Sequence, residues 1–435
     1  MSTALRVGVA GLGTVGAATV QLLAGQNAML AARAGRPIEV TAVSARDRRK
    51  NRGADLSQMT WCDDARELAA LDDVDVVVEL IGGADGIARD LVEAALAAGK
   101  HVVTANKALL AHHGTALAAR AEAAERVLAY EAAVAGGIPI IKAQRDGLAA
   151  NRVLRLHGIL NGTCNYILTV MRETGRDFHD VLEEAQRLGY AEADPAFDVD
   201  GIDAAHRLAI LASLAFGRAV DFDNVHVEGI RHISPIDLAY AEELGYRIKL
   251  LGIAEDGADG VTQRVHPSMV AKTSPIAQVD GVFNAVAVEG DAVGATLFQG
   301  RGAGAGPTAS AVVADLVDIA TGRGAPVFGV PASALLAAQP APMDRHRSAY
   351  YVRLMVTDRP GVLAEITAVF RDHHVSLEAV VQRARDPHGP VPLVFTTHET
   401  EEAAMAQSLA RIAGFDFSLE PPRMIRIEVF QNNQA

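Results

Sequence analysis

The chain contains little cysteine and few aromatic residues. Of its 435 residues, two are cysteines and one is tryptophan, and aromatic residues make up 5%. Cys62 and Cys164 lie far apart in the sequence, so no disulfide framework is expected. This usage of cysteine is typical of a protein that works in the reducing cytoplasm.

Basic residues and long apolar segments are also scarce. The formal net charge is -13 and the pI is about 5.5, which argues against a general nucleic-acid-binding protein. The uncharged stretch VGVAGLGTVGAATVQLLAG lacks a strongly basic segment before it and is interrupted by glycines, so it is not read as a signal peptide. No other stretch is long and apolar enough to span a membrane. We therefore expect a cytoplasmic protein with neither a nucleic-acid nor a membrane partner.

The composition is that of a core-forming protein with more than one domain. Half of the residues are hydrophobic, and the length predicts two to four domains. Residues 1–135 alternate between strand and helix patterns, which predicts a Rossmann-type, doubly wound parallel sheet in an α/β fold. The predicted strands are Leu5–Gly11, Ile38–Ala45, Val74–Gly82, His101–Asn106 and Val127–Val134, and the predicted helices are Thr14–Ala32 and Asp85–Ala98.

The remaining chain predicts four further segments. Residues 136–300 mix helices and strands and suggest an α+β substrate-binding and dimerisation domain on a mixed sheet. Residues 301–336 are a glycine-rich loop and helices that return to the nucleotide-binding domain. Residues 337–348 are polar, contain proline and lack periodicity, so they are predicted to form a linker. Residues 349–430 follow the order βαββαβ of a ferredoxin-like domain.

A glycine motif follows the first predicted strand and opens the first predicted helix. In a dinucleotide-binding turn, the first glycine permits a tight turn, the second lets the backbone approach a pyrophosphate, and the third lets the helix pack on the strand. The helix N-terminus then attracts the phosphate groups. We predict that this motif binds a dinucleotide through Gly11, Leu12, Gly13, Thr14, Val15 and Gly16.

The second strand bears on the choice between NAD and NADP. It ends in Ser44 and Ala45, and Arg46 follows where an NAD-binding protein usually carries an acidic residue. A guanidinium suits the 2′-phosphate of NADP, so Arg46 favours NADP. Asp47 could bind a ribose hydroxyl, which leaves NAD open. Lys107, at the carboxyl edge of the predicted sheet, is placed to contact cofactor or substrate.

The acidic run AEADPAFDVDGIDAAHR, residues 191–207, leads into an apolar helix. An EF-hand fits poorly because Arg207 occupies the position of its final glutamate, and His206 has no partner at zinc-ligand spacing. Asp203 and Arg207 are four residues apart, so they share one helix face and can pair. The run suits a pocket for a substrate with an ammonium group, and a capped, solvated start of the helix is the alternative.

Several segments together resemble homoserine dehydrogenases over nearly the whole chain. They occur in the family's order: GLGTVG, TANKALLA, EAAVAGGIPII, ILNGTCNYIL, GYAEADPAFDVDGIDAAHR, GYRIKLLG and GRGAGAGPTASAVV. The family interconverts L-homoserine and L-aspartate 4-semialdehyde with NAD(P), on the route to threonine and methionine. The resemblance therefore implies a nicotinamide-dependent oxidoreductase.

The resemblance also implies roles for individual residues. Asp203 and the residue four positions later would be the catalytic pair, and Lys107 would reach substrate and nicotinamide. Gly302 would touch the cofactor. Substrate would be bound by Glu192, Asp198, Thr163 and Gly189. A monovalent cation, Na⁺ by its hard oxygen ligands, would be held by Glu131 with the backbone carbonyls of Val134, Gly136 and Ile138.

Arg207 departs from the family pattern, which has lysine at this position. Arginine loses its proton about 2–3 pH units above lysine, so it is a much poorer proton donor. We expect Arg207 to polarise the substrate oxygen while the proton passes through Lys107 or a water. The alternatives are a low-activity or non-catalytic homologue that senses amino acids, and a dehydrogenase for a related amino alcohol.

The C-terminal segment resembles an ACT domain, a regulatory module that binds amino acids. Its motif DRPGVL places a glycine at a strand-to-helix turn, where an amino-acid backbone could approach. The effector would be bound by Asp358, Gly361, Val362 and Leu363, and the family context suggests threonine. A structural or dimerising appendage is the alternative. The resemblance also implies a homodimer or homotetramer.

Overall fold

The computed structural model describes residues 3–383 and 389–430. Within those ranges no helix combines the length and apolar character that crossing a bilayer requires. The described chain forms two large sheets, and the cleft described below lies where the segments around them meet.

The first sheet confirms the predicted Rossmann-type architecture. Its six strands are all parallel, in the order β3-β2-β1-β4-β5-β6. The central strands are rich in valine and fully buried, as expected where helices cover both faces. The strands are β1 (Leu5–Ala10), β2 (Ile38–Ser44), β3 (Thr60–Cys62), β4 (Val76–Glu79), β5 (His101–Thr104) and β6 (Leu128–Ala129), and the helices are α1 (Thr14–Gly25), α2 (Asn27–Ala34), α3 (Ile87–Ala97) and α4 (Lys107–Ala123).

Two predicted elements differ in the structure. The single helix predicted over Thr14–Ala32 is two helices, because α1 ends at Gly25 and Gln26 separates it from α2. Glycine is a poor helix former, which explains the break. The strand predicted over Val127–Val134 contains only the two residues of β6, since the chain turns there into a 3₁₀ helix, Glu131–Ala133.

The middle of the chain builds the first part of a mixed second sheet. A long antiparallel hairpin, β9 and β10, lies at its centre, and β7, β11 and β12 extend one side in the order β12-β11-β7-β9-β10. The strands are β7 (Val153–Ile159), β8 (His226–Val227), β9 (Tyr246–Gly257), β10 (Gly260–Ala271), β11 (Phe283–Gly290) and β12 (Gly294–Arg301).

Seven helices accompany these strands among the described residues. They are α5 (Ile140–Lys142), α6 (Gly162–Thr174), α7 (Phe178–Arg187), α8 (Ala196–Val199), α9 (Ile202–Phe216), α10 (Pro235–Glu243) and α11 (Ala305–Ala320). Helix α9 is the apolar helix expected after the acidic run, whereas α6 and strand β12 were not predicted. Helix α11 returns to the first sheet, where Val312 and Leu316 share a core with Val7 and Val20.

The C-terminal unit has the predicted βαββαβ order, with one additional two-residue strand. Its sheet order is β17-β13-β15-β14, and β17 pairs in parallel with β10, so its strands continue the second sheet. Strand β13 begins at Arg347, inside the segment 337–348 expected to be a linker. The elements are β13 (Arg347–Thr357), α12 (Val362–Asp372), β14 (Leu377–Val381), β15 (Pro390–Thr397), β16 (Thr400–Glu401), α13 (Glu402–Ala413) and β17 (Arg423–Glu428).

Buried ion pairs fix the C-terminal unit to the middle of the chain. The Arg353 side chain in β13 donates to both carboxylate oxygens of Asp237, at 2.7 and 3.2 Å. Arg426 in β17 donates to Glu228, at 2.8 and 3.1 Å. Because both guanidiniums are almost fully buried, loss of Asp237 would leave the Arg353 charge poorly compensated, whereas Arg426 is also paired with Glu402. These contacts make the two parts one continuous body.

Candidate active site

One cleft of about 710 Å³ collects the catalytic and substrate-binding residues predicted from the sequence. Those in its lining are Lys107, Thr163, Gly189, Glu192, Asp198, Asp203 and Arg207. Lining residues that sequence reasoning missed include Asn161, Tyr190, Phe197, Asn284 and Arg301. The predicted effector residues lie elsewhere, in the C-terminal unit.

The Asp203 carboxylate is the centre of the polar network in the cleft. It lies in the first turn of α9, and the residue is 3% exposed. Lys107 Nζ is 3.2 Å from one carboxylate oxygen, and Arg207 Nη2 is 3.1 Å from the other. Burial by itself would raise the pKa of Asp203, but the two cations and a hydrogen bond from Asn161 outweigh it, so the pKa is lowered. Asp203 is therefore an ionised group that holds both cations.

Asn161 connects the two carboxylates of α8 and α9. Its Nδ2 donates to Asp198 Oδ1 at 2.8 Å and to Asp203 Oδ2 at 2.9 Å, and its Oδ1 caps α6 by accepting from the backbone N–H of Cys164. Burial, together with the charge of Asp203, raises the pKa of Asp198. An asparagine before a helix is a readable capping signal. Its contacts with residues far along the chain are not readable from the sequence.

Arg207 is fixed by two acceptors and retains one unused donor. Its Nη1 donates to the backbone carbonyl of Leu160 at the end of β7, and its Nη2 donates to Asp203. Its Nε is buried without a hydrogen-bond partner among the described residues. The side chain is 12% exposed, which leaves the guanidinium in a defined position at the wall of the cleft.

Lys107 is the more exposed of the two cations that bind Asp203. It begins helix α4, its side chain is 28% exposed, and its Nζ lies 5.8 Å from the centre of the Phe197 ring. An ammonium on a flexible stem can rotate toward a bound molecule and still contact Asp203. Lys107 is therefore the cation in this pair that solvent and ligand can reach.

The acidic run divides between the cleft and the surrounding protein. Glu192 is exposed at the rim of the cleft, in a loop that Thr163 fastens by donating to the Tyr190 carbonyl at 2.7 Å. Asp200, by contrast, pairs with Arg231 and is not part of the lining. Glu192 and Asp198 thus supply carboxylates that suit an ammonium group, whereas the charge of Asp203 is balanced by Lys107 and Arg207.

The glycine motif forms an open turn that fits a dinucleotide. Gly11 has φ +93°, and a Cβ on it would lie 2.6 Å from the Leu80 carbonyl oxygen. A Cβ on Gly16 would lie 1.9 Å from the Gly11 carbonyl oxygen, whereas one on Gly13 would meet nothing within 4 Å. Gly13 is also the N-cap of α1, and no side chain caps that helix. The free N–H groups and the open space at Gly13 fit a pyrophosphate, with Leu12, Thr14 and Val15 in the same turn.

A basic loop lies against this turn. Arg46 lies two residues after the end of β2, and its side chain is exposed. Arg52 Nε donates to the Leu12 carbonyl at 3.1 Å, so the loop is tied to the glycine motif. The guanidiniums of Arg48 and Arg52 each lie 5.6 Å from the centre of the Trp61 ring. Sequence reasoning missed Arg52 because its contact with Leu12 is set by folding.

The predicted cation-binding segment lies beside the glycine-rich loop before α11. Glu131 is 2% exposed and accepts from the backbone N–H groups of Ile141 and Lys142, both at 2.9 Å. Burial, with a contribution from Asp315, raises the pKa of Glu131 to about 7. Ala135 and Gly136 both have left-handed φ values, 55° and 52°. A Cβ on Gly136 would lie 2.4 Å from the Gly302 carbonyl oxygen, so this segment and Gly302 are in close contact.

The predicted effector residues surround the start of α12. Gly361 has φ +97° and is the N-cap of this helix, and a Cβ on it would meet nothing closer than Glu365 Oε1 at 4.0 Å. Val362 is buried, whereas Leu363 is 42% exposed. The motif that begins at Asp358 thus presents an open backbone surface at the helix start.

Family models match three successive parts of the chain. A model described as "Homoserine dehydrogenase, NAD binding domain" matches residues 11–131. A model described as "Homoserine dehydrogenase" matches residues 139–317, and an ACT-domain model matches residues 350–415.

Relatives from several bacteria are similar along almost the whole chain. A homoserine dehydrogenase of Pseudomonas aeruginosa is 47% identical over 98% of this chain and 99% of its own length. That of Neisseria gonorrhoeae is 45% identical over 98% of both. The crystal structure of a homoserine dehydrogenase from Thiobacillus denitrificans matches with a TM-score of 0.92 and 46% identity, over 98% of each chain. The chain therefore belongs to the homoserine dehydrogenase family of oxidoreductases, with an NAD-binding domain at one end and an ACT domain at the other.

Proposed function

We propose that the chain catalyses reversible hydride transfer between L-homoserine and L-aspartate 4-semialdehyde. The cleft is the observation that carries this proposal, because it joins two cations on Asp203 to carboxylates that suit an amino acid's ammonium group. Glu192 and Asp198 bind that ammonium group, and Thr163 and Gly189 shape the pocket around it. A bound nicotinamide supplies the chemistry of accepting or returning the hydride.

In homoserine oxidation, the alcohol proton must leave as the hydride departs. One cation stabilises the charge on the oxygen, and the other assists the departure of the proton. The Arg207 guanidinium stabilises negative charge on the substrate oxygen. A water beside Lys107 accepts the alcohol proton and passes it toward solvent, or Lys107 does so in its neutral amine form, because its side chain is the more exposed. Asp203 holds both cations in place. Arg207 at the position of the family lysine also supports a second candidate, a low-activity homologue that senses amino acids.

NADP is the preferred cofactor in this proposal. Arg46 and the basic residues after it form the exposed loop that Arg52 ties to the glycine turn, next to where the adenosine ribose of a bound dinucleotide would lie. A guanidinium there binds a 2′-phosphate by charge-assisted hydrogen bonds. Gly302, in the glycine-rich loop, would contact the bound cofactor.

The Glu131 segment is proposed to hold Na⁺, with the carbonyls of Val134, Gly136 and Ile138 as further ligands. The donor set consists only of oxygens, which suits a hard cation. Ala135 is a non-glycine residue in the left-handed region, and such conformations are typical of ligand clamps. The cation would neutralise a carboxylate that is otherwise buried beside Asp315.

Threonine is the proposed effector of the ACT domain. The open backbone at Gly361 leaves room for a bound amino acid, and Asp358 and the first residues of α12 lie around it. Binding there would reduce turnover through the continuous second sheet.

The Arg207→Lys variant tests the division of labour between the cations. A lysine ammonium can release its proton within the working pH range, so kcat for homoserine oxidation should rise about 10-fold and acquire a new dependence on pH. Arg207→Met, as the control, should lower kcat by about 100-fold because it removes the charge. Identical pH-rate profiles for the parent and the lysine variant would exclude a proton-transfer role. A parent protein that binds threonine but never turns over homoserine would support the sensor instead.

Replacing Arg46 should weaken NADP binding more than NAD binding. In Arg46→Ala, KM for NADP is expected to rise at least about 10-fold because a charge-assisted contact is lost, while KM for NAD should stay within about 2-fold. Arg323→Ala is the matched control, since that side chain is 76% exposed at the far end of α11. Equal changes for both dinucleotides would contradict the assignment of Arg46 to the phosphate.

Removing Na⁺ should lower activity in a pH-dependent way. The pKa of Glu131 is raised to about 7, so its carboxylate is ionised above that pH and takes up protons below it. The apparent affinity for Na⁺ should therefore fall about tenfold for each unit below pH 7 and level off above it. Turnover is measured in Na⁺ and in a tetramethylammonium buffer, with Glu131→Gln as a variant that should have lost the response. Equal turnover in both buffers at every pH would refute the cation site.

Isothermal titration of the full chain with threonine tests the ACT domain directly. We expect saturable heat and inhibition of homoserine oxidation, and Gly361→Val should abolish both, because a branched side chain is strained at φ +97° and fills the approach. Gln407→Ala, at an exposed position of α13, serves as control. Absence of both heat and inhibition in the parent protein would refute threonine as the effector.

A further inference from the structure

Asn284 is a buried polar side chain in the cleft that the chain does not satisfy. It lies on β11, the residue is 1% exposed, and it lines the cleft that holds Lys107 and Asp203. Neither its Oδ1 nor its Nδ2 has a hydrogen-bond partner among the described residues. Buried amides without partners are rare in native proteins, and each one calls for a ligand, a water or a functional reason.

The other asparagines nearby show that the fold can satisfy such groups. Asn161 uses both of its amide atoms, on Asp198, Asp203 and a helix N-terminus. Asn165, which is equally buried, donates to the carbonyls of Val279 and Phe283 and accepts from Lys249. Asn284 differs from both in having no partner in either direction.

The surroundings of Asn284 place its amide between the two halves of the site. A Cβ on Gly302, in the loop expected to contact the cofactor, would lie 2.1 Å from Asn284 Cγ and 2.3 Å from its Nδ2. A Cβ on Gly162, next to Thr163, would lie 3.2 Å from its Oδ1. Glycines on both sides pack closely over the buried amide, and the residue still lines the cleft that a bound molecule would fill.

We propose that Asn284 binds the reacting ligands directly, donating one hydrogen bond and accepting another. This inference rests on the proposed function and adds a binding residue to it. The matching ligand chemistry is a group that is both donor and acceptor. The carboxamide of a bound nicotinamide has this character, and so does the amino-acid end of the substrate.

The test compares Asn284→Leu with Asn165→Leu in the full-length chain. Leucine has nearly the shape of asparagine, and replacing an unpartnered amide with it should leave the midpoint of thermal unfolding unchanged or higher. Asn165→Leu removes an amide that makes three hydrogen bonds, so it should lower that midpoint. Asn284→Asp is the second variant, because it keeps the shape and the acceptor but removes the donor.

Two measurements on Asn284→Leu identify the ligand. Dissociation constants for NADPH come from the fluorescence of the bound nicotinamide without substrate, and KM for homoserine comes from turnover. A rise of at least tenfold in the NADPH dissociation constant assigns Asn284 to the nicotinamide. The same rise in KM alone assigns it to the substrate.

Other outcomes overturn the inference. Unchanged affinity for both ligands in Asn284→Leu and Asn284→Asp would show that Asn284 does not bind them. A loss of stability like that of Asn165→Leu would show a structural role. Failure of the proposed reaction is recognised separately, as a parent protein that binds NADPH but does not oxidise homoserine. In that case the NADPH measurement still decides whether Asn284 binds the nicotinamide.

Discussion

The active-site cleft depends on one buried carboxylate and the three side chains that surround it. Asp203 is 3% exposed, and its charge is tolerated because Lys107, Asn161 and Arg207 reach it from three different segments. Lys107 begins α4 beside the first sheet, Asn161 is the N-cap of α6, and Arg207 lies on the same helix as Asp203. This charge is therefore one of the contacts that link the nucleotide-binding part of the chain to the substrate-binding part.

The carbonyl of Leu160 explains how an arginine can occupy the position of the family lysine. A guanidinium has more N–H donors than an ammonium, and these donors all lie in one plane. A buried guanidinium therefore needs more than one acceptor. Asp203 supplies one acceptor and Leu160 supplies the other, so the longer side chain fits without a stranded charge. This arrangement gives Arg207 a fixed position, while Lys107 is the more exposed of the two cations.

Local patterns in the sequence predicted much of the fold, and the resemblance to homoserine dehydrogenases supplied most of the predicted cleft residues. The glycine motif, helix α9 and the acidic run are each encoded within about 20 consecutive residues, where spacing alone indicates the structure. Asn161 and Asn284 could not be predicted, because their roles depend on residues far away: Asn161 contacts Asp198 and Asp203, 37 and 42 positions later. Strand β12 was missed, although its exposure alternates residue by residue.

Because β17 pairs in parallel with β10, the C-terminal domain is a structural part of the catalytic body. Without it, β10 would present an open edge, and Asp237 and Glu228 would lose the arginines that neutralise them. Glu228 precedes Gly229, which packs against the backbone of Asp200 at the end of α8. Removing the C-terminal domain is therefore expected to disturb the acidic loop as well, because Gly229 packs against Asp200 directly beside Glu228. Single substitutions on the outer face of the domain would leave these contacts intact.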